Sequence, residues 1–237
     1  QNFRVGEVRP SQLLYMYGTG SIIDLPKMAV LVMGIGDWEI SPQYAGRIVE
    51  DRLLRAIRFE YPQVREMVKP PIVSESGPSL DPYSFEARIG VPVAPFPRWL
   101  VCPECQLLAP ISSGLFRLKE DLYRPDRTVY VHHNCDEVRS RRKPEVVPAR
   151  FMVVCERGHL DDFPWVDFVH HNHPCTGDPV LRLYEVGPSG EARDLEVKCD
   201  TCNSRRRLSD AFGRTNRQKM PICTARRPQL RDYDPNG

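Results

Sequence analysis

The chain has 237 residues, a net charge of +2 and 41% apolar content, which suits one or two soluble globular domains with a real core. That balance predicts no strong attraction of the whole chain to nucleic acid and leaves only local patches. No apolar run approaches the roughly 18 residues of a membrane-spanning helix.

Proline is abundant at 23 residues, about twice the average share, so short elements and much irregular backbone are expected. The N-terminus lacks a basic segment followed by an apolar one, so no secretory signal is expected and the reading is cytoplasmic. The first residue is Gln rather than Met, as in a fragment or a trimmed chain. With no secretion signal, the eight cysteines point to metal binding rather than to disulfides.

In chain order, Ser11 is placed to cap a short helix, Gln12 to Tyr17, that stops at Gly18. Gly18-Thr19-Gly20 follows a helix rather than a strand, and no Gly-Lys-Ser/Thr comes after it. It therefore reads as a turn and not as a phosphate loop. Ser21 to Leu25 and Met28 to Ile35 form a hairpin broken at Pro26. Tyr44 to Glu60 is the clearest helix, with Ile48, Leu53, Leu54 and Ile57 on one stripe and a solvated charged face opposite. Lys69 to Pro97 is Pro-rich loop, with a short strand expected within Ser84 to Val91. A boundary is placed there, giving a hairpin-plus-helix domain over 1–97 and a Cys/His-rich module over 98–237.

Past Arg98 the apolar runs are short: Thr128 to Val131, Phe151 to Val154, Leu181 to Val186 and Leu195 to Val197. Each lies next to a Cys or His, as in a zinc ribbon, where hairpin turns offer the ligands. Pro164 suits the first turn of a helix with Asp162 as its cap, and Ser209 to Phe212 suits a helical turn. The fold class is therefore α+β: loop-rich, with short antiparallel hairpins, zinc-ribbon-like modules and a few short helices.

Cys102-Pro103-Glu104-Cys105 is the strongest chemical signal, because two thiolates three positions apart converge on one metal when the backbone turns between them. Its partners are His132 and Cys135, with the same spacing, or else Cys155 and His159; the matched spacing favours the former. A redox Cys-x-x-Cys would want a helix N-terminus, whereas the flanks here are loop and strand. Cys199 and Cys202 form the second pair, with Cys223 as third ligand and Cys175 as fourth, so two zinc ions are expected. Of His170, His171 and His173, one could replace Cys175, but clustered His at a helix end usually meet the last carbonyls.

Cys155-x-x-Gly158-His159 admits three readings: a structural zinc knuckle, a local turn without metal, or a catalytic zinc with Asp161 or Asp162 as general base. Arg139, Arg141, Arg142 and Lys143, and Arg205, Arg206 and Arg207, are the candidate DNA contacts. From Asn203 to Gly237 there are nine Lys and Arg against three Asp, which suits a phosphate backbone, an acidic partner or a solvated face. No aromatic residues are interleaved, so base stacking is not indicated.

Several long motifs resemble the DrmB family. They are Gly6-Glu7-Val8-Arg9-Pro10-Ser11-Gln12, Tyr17-Gly18-x-Gly20-Ser21-Ile22-Ile23-Asp24-Leu25-Pro26, Phe96-Pro97-Arg98-Trp99-Leu100-x-Cys102-Pro103-x-Cys105, Gly158 to Trp165, Ser209 to Gly213, and Arg226-Arg227-Pro228. That family is a core component of DISARM, a bacterial anti-phage defence system. The resemblance implies a non-catalytic, helicase-associated subunit that works with a helicase-like ATPase of the DrmA type on invading DNA. It also implies a longer protein with a further domain that this chain, ending at Gly237, lacks. A Cys soon after that point would complete Cys199, Cys202 and Cys223 and release Cys175. The competing function is a metal-dependent hydrolase or nuclease centred on His159, Asp161 and Asp162.

Overall fold

The computed structural model describes residues 8–73, 81, 83–138, 143–171, 173–187, 191–213 and 220–233. The first helix, α1 (Pro10–Tyr15), starts one step before the expected cap. Pro10 occupies the first turn and Arg9 is the N-cap, its N–H donating to Gln12 Oε1 at 2.9 Å. Proline's fixed φ already starts the helix, so Ser11 falls inside it. Gly18 to Gly20 is a turn: Ser21 N–H donates to Gly18 O at 2.9 Å, and Gly20 has φ +86°.

Strands β1 (Ile22–Leu25) and β2 (Met28–Val32) form the expected hairpin around Pro26-Lys27, with Leu25 opposite Met28. Two further strands, β3 (Arg47–Ile48) and β4 (Met67–Val68), pair antiparallel. The helix expected from Tyr44 is therefore shorter. Tyr44 and Ala45 turn back onto Ser41, Ile48 is held in β3, and α2 (Asp51–Glu60) keeps only ten residues. Strand pairing with Met67 and Val68 outweighs the helical stripe at its first member. The expected strand at 84–91 is instead a 3-10 turn, Glu86–Arg88. The strand that does form, β5 (Val93–Pro95), pairs with the far edge of β2. Being central, β2 is apolar on both faces, and Val30, Leu31 and Val32 are buried.

The second half of the chain supplies β6 (Trp99–Val101), β7 (Leu107–Pro110), β8 (Phe116–Lys119), β9 (Val129–His132), β10 (Val147–Pro148), β11 (Met152–Val154), β12 (Leu160–Asp162), α3 (Trp165–Val169), β13 (Leu181–Glu185), β14 (Leu195–Cys199) and β15 (Arg205–Arg207). Six of the strands make one sheet in the order β10-β6-β7-β13-β14-β15, every pair antiparallel. The β8–β9 and β11–β12 hairpins stand beside it.

Strand alternation assigns the core to the two faces. Leu100, Leu107 and Ala109 pack with Phe116 and Val146. Val101, Leu108, Leu181, Leu183 and Val197 pack with Phe163, Trp165, Phe168 and Val169. The aromatics meet edge-on or tilted, with Phe163 4.7 Å from Trp165 and 5.0 Å from Phe168 between ring centroids. Asp162 does not cap α3: it lies in β12, Pro164 precedes the helix, and the Asp162 carboxylate is turned to Arg98.

The last strands, β16 (Arg226–Arg227) and β17 (Asp232–Tyr233), form a small hairpin. The turn between them returns to the first part of the chain, where Gly34 N–H donates to Gln229 O at 2.7 Å. A Cβ at Gly34 would lie 2.8 Å from Leu230 Cδ2 and 3.1 Å from Gln229 O, so a larger residue there would make both give way. Among the described residues no helix is long and apolar enough to cross a membrane.

Phe168 is 1% exposed at the centre of the larger core. Phe168→Ala should destabilise the zinc-loaded protein by about 3–5 kcal/mol, read as a lowered urea midpoint with unchanged slope.

Candidate metal centres

Three groups of Cys and His each bring their ligand atoms within 4.8 Å of one another. All eight cysteines are free thiols, and each belongs to one of the three groups.

The first group is Cys102, Cys105, His132 and Cys135. Cys102 follows β6, and the chain turns through Pro103 to Gln106, where Gln106 adopts φ +61° and donates to Cys102 O at 2.8 Å. His132 ends β9 with its ring edge-on to Phe116 at 5.4 Å. Cys102 Sγ and Cys135 Sγ are 3.9 Å apart, and Cys105 Sγ and His132 Nδ1 are 3.5 Å apart. The edges of a zinc tetrahedron are about 3.8 Å between sulfurs and about 3.5 Å between sulfur and nitrogen, whereas a disulfide needs about 2.05 Å. The donor set therefore fits a closed Cys3His zinc site. Burial pushes the Cys102 thiol up to about 12 and also raises Cys135, because a buried thiolate is costly until a cation shares its charge. Burial lowers His132, which favours the neutral imidazole that ligation needs.

The second group is His170, Cys175, Cys199 and Cys202. Cys199 ends β14 and Cys202 precedes β15, with Cys199 N–H donating to Ser204 O at 2.8 Å across the turn. Cys175 Sγ lies 3.8 Å from Cys199 Sγ, again a tetrahedral edge. His170 follows α3, and its Nδ1 donates to Val166 O at 2.6 Å. Its Nε2 is buried with no hydrogen-bond partner, which is how a ligand nitrogen stands when the other nitrogen is fixed by a carbonyl. The ligand partition differs from the expected one: His170 takes the place given to Cys223, and Cys175 stays. Burial would raise Cys199, but the Cys202 and Thr201 backbone amides outweigh it and hold its thiol low.

Cys223 instead joins Cys155 and His159, making three centres where two were expected. Cys155 and His159 flank the β11–β12 turn, where Gly158 N–H donates to Cys155 O at 2.9 Å with φ +77°. His159 Nδ1 lies 3.3 Å from Cys155 Sγ and 3.4 Å from Cys223 Sγ. The His159 backbone N–H is the chief influence drawing the Cys155 thiol down to about 7.

The neighbouring carboxylates are otherwise engaged. Asp161 Oδ1 pairs with Arg98 Nη2 at 3.0 Å and with Arg226 Nη1 at 3.3 Å, and its Oδ2 accepts from Thr224 Oγ1 at 2.7 Å. Asp162 accepts from Arg98 N–H at 2.5 Å and from Arg98 Nε at 2.7 Å. Burial raises Asp162, with Arg98 opposing it.

Two arginines that the sequence did not single out connect these parts. Arg98 holds both carboxylates of β12. Arg182, on β13, donates to Cys105 O beside the first centre and pairs with Asp200, between Cys199 and Cys202, beside the second. No local spacing signals either residue, because each partner lies far along the chain.

Of the candidate DNA contacts, Arg139, Arg141 and Arg142 lie outside the described residues. Lys143 lies against the His133 ring, Nζ to Nε2 2.8 Å. Arg205 and Arg207 face solvent on the edge strand β15. Arg206 does not: it is 5% exposed, its guanidinium lies 4.1 Å over the Phe168 ring, and its Nη1 donates to Phe168 O at 2.9 Å. Strand alternation turns the middle residue of the run into the core.

A family model described as Domain of unknown function (DUF8724) matches residues 9–237. The chain belongs to that family. It is also 30% identical over 138 residues to the DISARM protein DrmB of Bacillus paralicheniformis, a stretch that is 58% of this chain and 22% of that protein. The chain thus matches about a fifth of that relative's length.

Two outcomes follow from this geometry. Because metal must displace the protons of the buried thiols, zinc affinity at the Cys102 centre should rise with pH by about tenfold per unit for each proton released. Chelator competition between pH 6 and 8 reads this directly. Arg98→Ala leaves two largely buried carboxylates without their main cation and should cost about 2 kcal/mol or more. Adding Asp161→Asn and Asp162→Asn should recover part of that stability in denaturant unfolding.

Proposed function

We propose that this chain is a non-catalytic, zinc-containing subunit of a cytoplasmic anti-phage defence complex of the DISARM type. In this reading it associates with a helicase-like ATPase subunit of the DrmA type, where the ATP chemistry resides, and helps to hold invading DNA. The carrying observation is the partial match to the DISARM protein DrmB. The first two donor sets support it, since a complete Cys3His set is a structural closure rather than an open Lewis-acid site. In the same reading, residues 1–97 form the hairpin-plus-helix part, and residues 98–237 form the metal module that carries the DNA-facing surface.

The chain's own residues would act by position. Arg205 and Arg207 present two guanidinium groups on one side of an edge strand, while Arg206 anchors that strand from within. Zinc, when bound, supplies fixed crosslinks between the turns.

The hydrolase alternative draws on the three-donor group at Cys155, His159 and Cys223. Its candidate bases are engaged, however, since Asp161 and Asp162 meet Arg98, Arg226 and Thr224.

The test is phage protection and DNA binding by the chain with its ATPase partner. Arg205→Glu with Arg207→Glu should weaken DNA affinity across sequences. It should also flatten the salt dependence by about one unit of slope for each phosphate that is no longer neutralised, with zinc content unchanged. Asp162→Asn should leave protection intact; a folded, zinc-replete variant that fails to protect would favour the hydrolase.

A further inference from the structure

The turns of both Cys3His groups are fastened to β13 and to the residues that lead into it. On one side, Leu183 N–H donates to Gln106 O at 2.9 Å, just past the Cys102–Cys105 turn. On the other, Asp200 N–H donates to Val180 O at 2.8 Å and Thr201 Oγ1 donates to Asp178 O at 2.7 Å, both from within the Cys199–Cys202 turn. One turn is thus held at Leu183 and the other at Val180, and Arg182 stands between these two points of the strand.

The Arg182 side chain touches both turns. Its Nη1 donates to the carbonyl of Cys105, a ligand residue of the first group, and its Nε pairs with Asp200 Oδ2, between two ligand residues of the second. Lys198 Nζ holds the other oxygen of that carboxylate at 2.8 Å. A guanidinium is a rigid plane whose donors cannot be aimed one at a time. It meets both acceptors only while both turns keep the shape that draws their ligands together. A turn that loses its metal no longer holds its carbonyl or carboxylate where the plane needs it. Charge acts in the same direction. A Cys3His zinc centre carries a net negative charge, three thiolates against a divalent ion. Two such centres repel each other, and a cation in contact with both turns offsets that repulsion.

We propose that Arg182 couples the two Cys3His centres, so that zinc bound at either one raises the affinity of the other. The inference rests on the zinc reading of these two groups. Arg182 is a positioning residue in it and touches no metal. Coupling belongs to the pair of sites, so it acts with the same strength in both directions.

The experiment uses the whole chain loaded with zinc and titrated with a chelator. Each centre is followed through alkylation of its own cysteines, read by mass spectrometry: Cys102, Cys105 and Cys135 for the first, Cys175, Cys199 and Cys202 for the second. Cys135→Ser, which disables the first centre, should lower zinc affinity at the second by about tenfold, and His170→Ala should lower it at the first by a similar factor. When Arg182→Leu is added, each of these losses should shrink to about twofold or less, with the intact centre still filled at saturating zinc. Asp200→Asn cuts the same link from its other end at nearly constant volume. It should give the same reduction, and it keeps the test decisive where the Arg182 variant does not fold. Two centres whose affinities ignore each other, or a coupling factor that survives either substitution, would overturn the proposal while leaving zinc binding intact. Alkylation of these six cysteines that zinc does not slow would overturn the underlying zinc reading.

Discussion

Each Cys3His group draws a Cys-x-x-Cys turn from a strand that borders β13, and the rest of the sheet is arranged about that pairing. The register places Leu108 opposite Leu181 and Leu181 opposite Cys199, so the strands that carry the Cys102–Cys105 turn and the Cys199–Cys202 turn lie on either side of β13. The strands being fastened are two to five residues long. Ladders this short do not hold a sheet by themselves. Structural zinc in small sites supplies about 10–16 kcal/mol of apparent binding energy, comparable to the whole stability of a typical domain, about 5–15 kcal/mol. Metal held by these groups would thus contribute as much as a whole domain's stability to the convergence of the turns, beside the apolar packing on Trp165 and Phe168.

Three arginines transmit that constraint inward. Arg182 reaches from Cys105 O to Asp200 and so spans the two knuckles. Arg98, at the entrance to β6, fixes Asp161 and Asp162 and hence the hairpin that carries Cys155 and His159. Arg206 lies over Phe168 and ties the edge strand to the helix that presents His170. Arg206 is the buried one of the three, its charge tolerated because the Phe168 ring face and carbonyl are in place, while Arg98 and Arg182 stay partly exposed. The charge of the chain is therefore partly internal wiring, which the net value of +2 conceals.

What could be read in the sequence was what local geometry decides. Cys102 and Cys105, His132 and Cys135, and Cys199 and Cys202 are each three apart, and a single tight turn suffices to converge each pair. The β1–β2 hairpin at Pro26 and the helical turn around Ser209, a 3-10 turn over Leu208–Ala211, were legible for the same reason. Cys175 was also expected beside Cys199 and Cys202, whereas the place of Cys223 was not legible, because it meets His159 across 64 positions. His170 was hidden by its place at a helix end, where a histidine ordinarily meets carbonyls; its Nδ1 does so, and that contact frees Nε2 for the metal. Asp162 looked like a helix cap because Pro164 follows it, yet Arg98, 64 residues earlier, claims it. The inward turn of Arg206 was available from strand alternation alone, had the arginine run been read as a strand.

That alternation also bears on how strong the basic edge is. Register sets Arg207 opposite Glu196 and Arg205 opposite Lys198, and Lys198 is itself paired with Asp200 at 2.8 Å. The field near Arg207 is thus partly cancelled by Glu196, while Arg205 faces Lys198, which shares the single carboxylate of Asp200 with Arg182. Charged side chains on an edge strand also prevent unwanted strand pairing, so their presence alone does not require a polyanion. A phosphate backbone along β15 would have to draw its attraction chiefly from Arg205 and from basic residues of the flanking segments. The nine-to-three excess of basic over acidic residues after Asn203 therefore overstates the surface charge that this strand presents, because one of its arginines is inside and another has an acidic cross-strand neighbour.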